Sequence, residues 1–292
     1  MNGKNLRDLA RRGYRGALAG ARIKSKMTAN DHVRRGHALS ELGRHEEALS
    51  AYDRAVKRDP SAAFYHNMRG CVLSKLGRHE EALEAHGLAV ELDPSDAVYH
   101  ASRGHALFEL GRHEEALEEY GLAVKMDPSS ARARDGRAFT LEKLGRHEEA
   151  LEAHGLAAEL DPSDAVYHAR RGHALSELGR HDEALEEYGL AVELDPSDAF
   201  YHASRGHALL ELGRHEEALE ACGRAVELDP SDAFYHSNRG DVLSELRHHE
   251  EALAEYGRAI KIDPNSDLAR GKYARTLETL VRREETLGGG RR

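Results

Sequence analysis

The sequence predicts an all-α protein, a solenoid of stacked helix-turn-helix units. The first reason is a fixed period: the seven prolines each follow an aspartate and succeed one another at 34-residue intervals. The second is that each unit contains two amphipathic helical patterns. The third is composition, because 32% charged residues and no tryptophan suit a thin array in which each repeat packs only against its neighbours. The prolines are Pro60, Pro94, Pro128, Pro162, Pro196, Pro230 and Pro264.

The unit from Asp96 to Ser129 shows how the two helices are encoded. Apolar residues of its first half recur at three- and four-residue steps, and those of its second half follow an i, i+1, i+4, i+7, i+8 pattern. Both patterns are typical of an amphipathic helix that buries one face. The residues are Tyr99, Ala106, Leu107 and Leu110 in the first helix, and Ala116, Leu117, Tyr120, Ala123 and Val124 in the second.

Short polar segments end each helix and begin the next. Gly111 ends the first helix, because glycine takes the left-handed conformation after a last turn without a Cβ clash. A glutamate pair beginning at Glu114 then stands in the first turn of the second helix, where the positive end of the helix dipole favours it. Asp127 and the proline after it end that helix. Ser129, or the equivalent of Asp96, is a natural N-cap for the helix that follows.

Small residues on both helices allow the two backbones of a repeat to approach closely. Gly104 on the first helix and Ala116 on the second recur in five other repeats. The pairs are Gly36/Ala48, Gly70/Ala82, Gly172/Ala184, Gly206/Ala218 and Gly240/Ala252. With Tyr120, Ala123 and Pro128 at the same period, this set closely resembles the tetratricopeptide repeat family. The resemblance implies a right-handed superhelix whose first helices line a concave face and grip an extended peptide or a partner helix.

The repeat divides the chain into four parts. Residues 29–266 hold seven repeats in phase. Residues 267–287 continue with a first-helix pattern, which we interpret as the cap that covers the last hydrophobic face. Residues 288–292 form a tail of glycine and arginine that we expect to be flexible. Residues 1–28 precede the array as a basic arm or degenerate cap, with eight Lys and Arg residues against Asp8 alone.

The arm has a net charge of +7, so the rest of the chain has −17 within the total of −10. Three interpretations of the arm stay open. It is a capping helix or partly disordered tail; a basic arm that contacts nucleic acid, an anionic membrane or the acidic body of another copy; or an organellar transit peptide. The body itself would repel phosphate, so nucleic acid is disfavoured as a partner except through the arm.

The sequence disfavours an enzyme. A uniform array gives each polar group several copies, whereas catalysis needs one pre-organised constellation of residues, and no phosphate loop or nucleophile motif is present. We therefore predict no catalytic residues, no cofactor and no small-molecule substrate. No secretory signal is visible and no apolar run approaches the ~20 residues of a membrane span. Cys71 and Cys222 are far apart in the array, which favours a reducing compartment and a cytoplasmic protein.

Two sets of histidines require interpretation. One histidine precedes the glutamate pair of every second helix, and seven recurrences indicate a structural role at the turn. These are His45, His79, His113, His147, His181, His215 and His249. The second set forms i, i+4 pairs such as His105 with Glu109, which could supply two zinc ligands. A third ligand would have to come from a neighbouring repeat, so we predict no metal site.

The resemblance places the partner-binding face on one side of the first helices. In the third repeat this side holds Val98, Ala101, His105, Phe108 and Glu109, whose spacing puts them on one helix face. The candidate partner-binding residues are the apolar, histidine and glutamate members of this stripe along the array. They are Phe64, Val98, His105, Phe108, Glu109, Val166, His173, Glu177, Phe200, His207, Glu211, Phe234 and Glu245.

Acidic residues beside apolar ones predict the partner. A segment that alternates Lys or Arg with large apolar side chains would be steered by charge and held by apolar burial. The Lys, Arg and Asn clamp with which one subset of the family binds acidic tails is absent. Two alternatives stay open: a solvated face without a dedicated ligand, and self-assembly, in which the main partner is another copy of the chain and the product a homo-oligomer.

Overall fold

The computed structural model describes residues 27–289, with side chains through residue 283. Within this range fifteen α-helices follow one another and no strand occurs, so the predicted all-α repeat fold is confirmed. The arm predicted over residues 1–28 lies outside the described residues except for Met27 and Thr28, and the tail lies outside them beyond Gly289. Over the described helices, the length and apolar character that crossing a bilayer requires are not found.

The described residues form two compact units, which divide between Leu144 and Gly145. The helices of the first unit are α1 (Ala29–Glu41), α2 (His45–Arg58), α3 (Ala63–Lys75), α4 (His79–Leu92), α5 (Ala97–Glu109), α6 (His113–Met126) and α7 (Ala131–Lys143). Those of the second unit are α8 (His147–Leu160), α9 (Ala165–Glu177), α10 (His181–Leu194), α11 (Ala199–Glu211), α12 (His215–Leu228), α13 (Ala233–Glu245), α14 (His249–Ile262) and α15 (Asp267–Gly289).

The closest packing within a repeat joins a glycine of the first helix to a ring of the second. A Cβ atom built on Gly172 would lie 2.9 Å from the ring of Tyr188, and one built on Gly240 would lie 2.6 Å from the ring of Tyr256. Glycine is therefore required here for space. Beside this contact lies a column of fully buried alanines on the second helices: Ala48, Ala82, Ala116, Ala150, Ala184, Ala218 and Ala252.

The fourth repeat departs most from the others in sequence, and its first helix, α7, packs closely against the preceding repeat. Ala138 replaces the packing glycine. Gly136, two residues earlier, faces the third repeat: its Cβ would lie 2.4 Å from the ring of Tyr120. Arg134 replaces a buried histidine and donates to the carbonyl of Pro128 at 2.9 Å. In five other repeats a histidine contacts the equivalent proline carbonyl. Arg134 therefore replaces the histidine in the contact between the first helix and the linker before it.

The turns and caps agree with the sequence prediction, and the structure decides which of the two candidate residues is the N-cap. Asp96 is the N-cap, since its carboxylate accepts from the backbone N–H of Val98 at 2.8 Å. Ser129 is not a cap, because its hydroxyl donates to Asp127 at 2.6 Å and holds the linker instead. Each first helix of the first six repeats ends in a left-handed glycine, with φ between 70° and 73°. These are Gly43, Gly77, Gly111, Gly145, Gly179 and Gly213.

A second set of glycines lies in the middle of the second helices, where glycine fulfils no packing need. At Gly87, Gly121, Gly189 and Gly223, a Cβ would meet no described atom within 4 Å apart from its own helix. Glycine in a helix interior is less favourable than alanine by about 1 kcal/mol, because it loses more backbone freedom on folding.

We expect replacement of these four glycines by alanine to raise the melting temperature, measured by circular dichroism. The expected gain in unfolding free energy is about 0.5–1 kcal/mol per site. The matched control is Gly240→Ala, which should lower the melting temperature because its new Cβ would lie 2.6 Å from the ring of Tyr256. A lower melting temperature for the fourfold variant would show that these positions are not open to solvent.

Arg247 should make the seventh repeat the least stable part of the second unit. It occupies the turn after α13 with φ of 64°, and it is the one non-glycine residue with positive φ in the described range. A side chain in this conformation costs roughly 1 kcal/mol. Arg247→Gly should therefore increase hydrogen-exchange protection of α13 and α14, and Gly213→Arg, the same turn in the sixth repeat, should reduce protection there. Equal protection of the fifth and seventh repeats in the parent protein would contradict this account.

Candidate partner-binding face

The first-helix face is the side of the first helices that carries the stripe exemplified by Val98, His105 and Glu109. Val98 lies in the first turn of α5 and is 60% exposed, and Phe234 in the first turn of α13 is 51% exposed. His105 and Glu109 lie near the end of α5 and are also exposed. Each such helix therefore presents an apolar side chain at its start and polar side chains at its end.

Local structure fixes the apolar residues in this exposed position. The backbone N–H of Phe200 donates to its N-cap Asp198 at 2.8 Å, which anchors the start of α11. The neighbouring Tyr201 is buried, and its ring meets that of Phe200 edge-on with centroids 6.3 Å apart. The buried tyrosine thus supports a phenylalanine that remains on the surface. Phe64 with Tyr65 and Phe234 with Tyr235 repeat the arrangement of the rings.

The first unit presents a face of mixed charge. Lys75 and Lys143 alternate with Glu109 at the helix ends, and Arg132 stands where other repeats have an apolar residue. His105 lies 3.9 Å from Glu109, but burial lowers the pKa of this histidine more than the glutamate raises it. This face therefore lacks a consistent sign of charge.

Phe108 departs from the sequence expectation that it is exposed. Its side chain is partly buried and packs against the core cluster of Leu107, Ala116 and Tyr120. Its ring also meets the ring of the turn residue His113, with centroids 5.3 Å apart. Phe108 therefore contributes more to packing within its repeat than to the surface.

In the second unit, the first helices α9, α11 and α13 present a face that is consistently acidic and apolar. The apolar side chains at the helix starts and the carboxylates at the helix ends are all exposed. They are Val166, Phe200 and Phe234 at the starts, and Glu177, Glu211 and Glu245 at the ends. Two histidines lie between them: His173 is exposed, and His207 lies 4.0 Å from Glu211.

A cavity of about 370 Å³ opens on this face between α11, α13 and α15. It brings together three of the predicted residues, and the other predicted residues of the second unit lie outside it. Its floor includes Cys222, Val242 and Tyr256, each no more than 2% exposed. Its rim is charged and exposed, and consists of His207, Glu211, Glu245 and Arg275.

Hydrogen bonds fix one wall of the cavity. Asp241 accepts from the hydroxyl of Tyr256 at 2.8 Å and from Lys272 at 2.5 Å. Burial, together with Asp241, raises the pKa of Tyr256, so the phenol stays protonated. Burial raises the pKa of the Cys222 thiol to about 12, so this cysteine is not a nucleophile at neutral pH. The cavity is therefore equipped for non-covalent binding.

Several residues around this cavity were not predicted from the sequence. Lys272 and Arg275 belong to the cap helix α15, whose first-helix pattern signals that it extends the same face. Asn238 on α13 also lines the cavity, and its amide nitrogen is buried without a partner among the described residues. Cys222 could have been identified from the sequence, because the other six repeats have tyrosine or histidine at this position of the second helix.

Beneath the face lies a buried network of histidine, glutamate and arginine. Nδ1 of His100 lies 2.9 Å from Glu119, Nε2 faces the carbonyl of Pro94, and Arg103 donates to the other carboxylate oxygen. Two further repeats have the same set, His168/Glu187/Arg171 and His236/Glu255/Arg239. The sequence signal is that the first, second, fourth and sixth repeats have alanine in place of the glutamate. The network ties the two helices of each of these repeats together.

The described residues offer no group of three or more His, Cys, Asp or Glu placed to hold a metal ion. The i, i+4 pairs considered as zinc ligands form loose, exposed ion pairs, with His37 and Glu41 4.0 Å apart. Both cysteines are free thiols.

The comparisons with known proteins agree on one family. Tetratricopeptide repeat profiles match residues 33–97, 104–145, 172–213, 199–232 and 233–266. No curated protein matches the sequence significantly.

Solved structures share the fold. A chain of the APC/C hetero-tetramer Cut9-Hcn1 has a TM-score of 0.70 at 18% identity over 87% of this chain, which spans only 50% of that one. A tetratricopeptide repeat protein from Parabacteroides merdae has a TM-score of 0.64 at 16% identity, covering 85% of this chain and 98% of that one. YrrB, a TPR protein with an unusual peptide-binding site, has a TM-score of 0.54 at 27% identity, covering 65% and 97%.

The buried His86 should make stability depend on pH. It faces the packing glycine of the second repeat, and its Nδ1 lies 2.8 Å from the buried amide oxygen of Asn67. Burial, and to a lesser extent the nearby His105, lowers the pKa of His86 from 6.5 to about 4. Between pH 6.5 and pH 4, the imidazole of His86 is protonated in the unfolded chain but stays neutral in the folded one. The free energy of unfolding therefore falls as the pH drops through this range, by up to about 3 kcal/mol.

The matched control replaces His86 with Tyr and Asn67 with Ala, the residues at these positions in the third repeat. Urea unfolding of both proteins between pH 7 and pH 4 measures the effect. The double variant should lose less stability over this range than the parent. The same pH profile for both proteins would show that His86 does not titrate with folding.

Proposed function

Because the chain belongs to the tetratricopeptide repeat family, we propose that it is a non-enzymatic cytoplasmic scaffold that binds a partner peptide or helix on its first-helix face. Tetratricopeptide repeats and their structural relatives support protein–protein interaction in general. The observation that carries the finer proposal is the second unit, where exposed Val166, Phe200 and Phe234 accompany three glutamates on one face. YrrB, with its peptide-binding site, supports the same mode of action by analogy.

The chemistry of this face defines the partner. Exposed aromatic side chains on a monomer mark an interaction surface, and burying one phenylalanine contributes about 1.5–3 kcal/mol. The carboxylates of Glu177, Glu211 and Glu245 would attract Lys and Arg side chains and speed the encounter. The partner is therefore a segment in which basic residues alternate with large apolar ones. The mixed charge of the first unit offers no equivalent surface.

The N-terminal arm supplies a probe of the required composition. It carries leucines and a tyrosine among its basic residues and has a net charge of +7. The binding assay therefore uses a fluorescein-labelled peptide with the sequence of residues 4–26. The protein starts at Met27, so that its own arm cannot compete and Thr28 remains as the N-cap of α1.

We expect the triple variant Glu177→Lys, Glu211→Lys, Glu245→Lys to bind this peptide about tenfold more weakly or worse, measured by fluorescence anisotropy at two salt concentrations. The control reverses Glu152, Glu186 and Glu220, three exposed glutamates of the second helices, and so changes the net charge equally. Circular dichroism checks that helicity is unchanged in both. Unchanged affinity in the first variant, or an equal loss of affinity in both variants, would show that the peptide does not bind to the first-helix face.

Self-assembly is the competing function, because the same arm could bind the acidic face of another copy. Size-exclusion chromatography with light scattering, at several concentrations of the full chain, separates the two. A monomer mass at all concentrations supports the scaffold proposal. A mass that rises with concentration and falls after removal of residues 1–26 favours self-assembly.

A further inference from the structure

The cavity of the second unit coincides with a break in the ring column. This column is the set of second-helix residues at the position that Tyr120 occupies in its repeat, and six of its seven members carry a ring. They are Tyr52, His86, Tyr120, His154, Tyr188, Cys222 and Tyr256. Cys222 is the exception, and it lies on the floor of the cavity.

The other repeats show where a ring at Cys222 would lie. In the seventh repeat, the hydroxyl of Tyr256 reaches Asp241 on the first helix of the same repeat. In the fifth, Tyr188 hydrogen-bonds with the side chain of Ser176. The residues equivalent to Asp241 and Ser176 in the sixth repeat, 34 positions away in each case, are His207 and Leu210. Both line the cavity.

The thiol fills only the inner part of this space. Sγ of Cys222 would lie 2.5 Å from a Cβ built on Gly206, which is where the inner edge of the tyrosine ring lies in other repeats. The space beyond Sγ, which a phenol ring fills elsewhere, therefore belongs to the cavity. Its volume of about 370 Å³ falls within the range of roughly 300–1,000 Å³ that is typical of ligand pockets.

We propose that this cavity is a specificity pocket for one aromatic side chain of the bound partner, which takes the place of the ring that Cys222 lacks. The inference rests on the proposed function, since the aromatic residue belongs to the segment held on the first-helix face. Val242 and Leu210 provide apolar contact for the ring. His207, which replaces the hydroxyl acceptor Asp241, is placed to accept from a phenol.

The rim defines the neighbours of the aromatic residue. Glu211 and Glu245 are exposed on the rim, where they can pair with Lys or Arg side chains that flank the ring. The recognised segment is therefore a tyrosine-type ring between basic residues. The arm peptide has this composition, with Tyr14 near Arg12 and Arg15, and is a suitable probe.

The first test uses p-cresol, the tyrosine side chain as a free molecule, and the full chain with 13C-labelled methyl groups. Titration should give saturable shifts of the Leu210 and Val242 methyl signals in the parent protein. Cys222→Ala keeps the pocket and should keep the shifts. Cys222→Tyr fills the pocket and should abolish them. Equal shifts in the parent and in Cys222→Tyr would overturn the proposal.

Cys222→Tyr restores the residue found at this position in four other repeats, so its melting temperature should equal or exceed that of the parent. Should this variant fail to fold, nuclear Overhauser effects in the parent protein decide the matter. Contacts from the ring protons of p-cresol to both the Leu210 and the Val242 methyl groups support the pocket. Binding of p-cresol without these contacts overturns it.

A peptide titration separates failure of the pocket from failure of the scaffold. Cys222→Tyr should weaken binding of the arm peptide to the protein that starts at Met27 by about tenfold, the size expected for an aromatic anchor. A peptide with Tyr14→Ala should bind the parent and Cys222→Tyr equally. If Cys222→Tyr binds the original peptide as the parent does, while the triple glutamate reversal abolishes binding, the pocket is wrong and the scaffold stands. If p-cresol shifts the pocket methyls but no peptide binds, the pocket stands and the scaffold is wrong.

Discussion

The contact between a glycine of the first helix and a ring of the second sets the spacing on which the rest of each unit depends. It brings the helices close enough to bury the alanine column completely, and a single added Cβ would obstruct it at Gly172 or Gly240. The fourth repeat has Ala138 in place of this glycine, and its Gly136 packs instead against the ring of Tyr120 in the preceding repeat. Where the ring itself is absent, at Cys222, a cavity takes its place.

Most of the fold could be predicted because its signals are local and repeated. The left-handed glycines, the amphipathic stripes and the aspartate–proline pairs each act within one or two helical turns. The choice between Ser129 and Asp96 as N-cap could not be made in the same way, because both residue types are good caps and only the path of the linker separates them. The buried His100–Glu119 pair was also missed, since it joins residues on two helices.

The candidate face was predicted residue by residue, but not as a surface. Helical spacing predicts that Val98, His105 and Glu109 share one side of α5, and all three are exposed. Spacing does not reveal that Phe108 turns partly inward, nor that the charge is mixed in one unit and consistently acidic in the other. The cavity depends on side chains from five helices, α11 to α15, so it appears only when three-dimensional packing is known.

The closure of the buried network within a single repeat has a consequence for how such a chain can change in length. His100, Arg103 and Glu119 neutralise one another without any ionic partner from an adjacent repeat. Breaking a buried ion pair by removing one partner costs about 3–5 kcal/mol, but loss or gain of the whole repeat removes or adds the partners together. Unequal recombination between near-identical repeats can therefore alter copy number without burying an uncompensated charge, and a binding surface can lengthen by duplication while its interior stays electrically balanced.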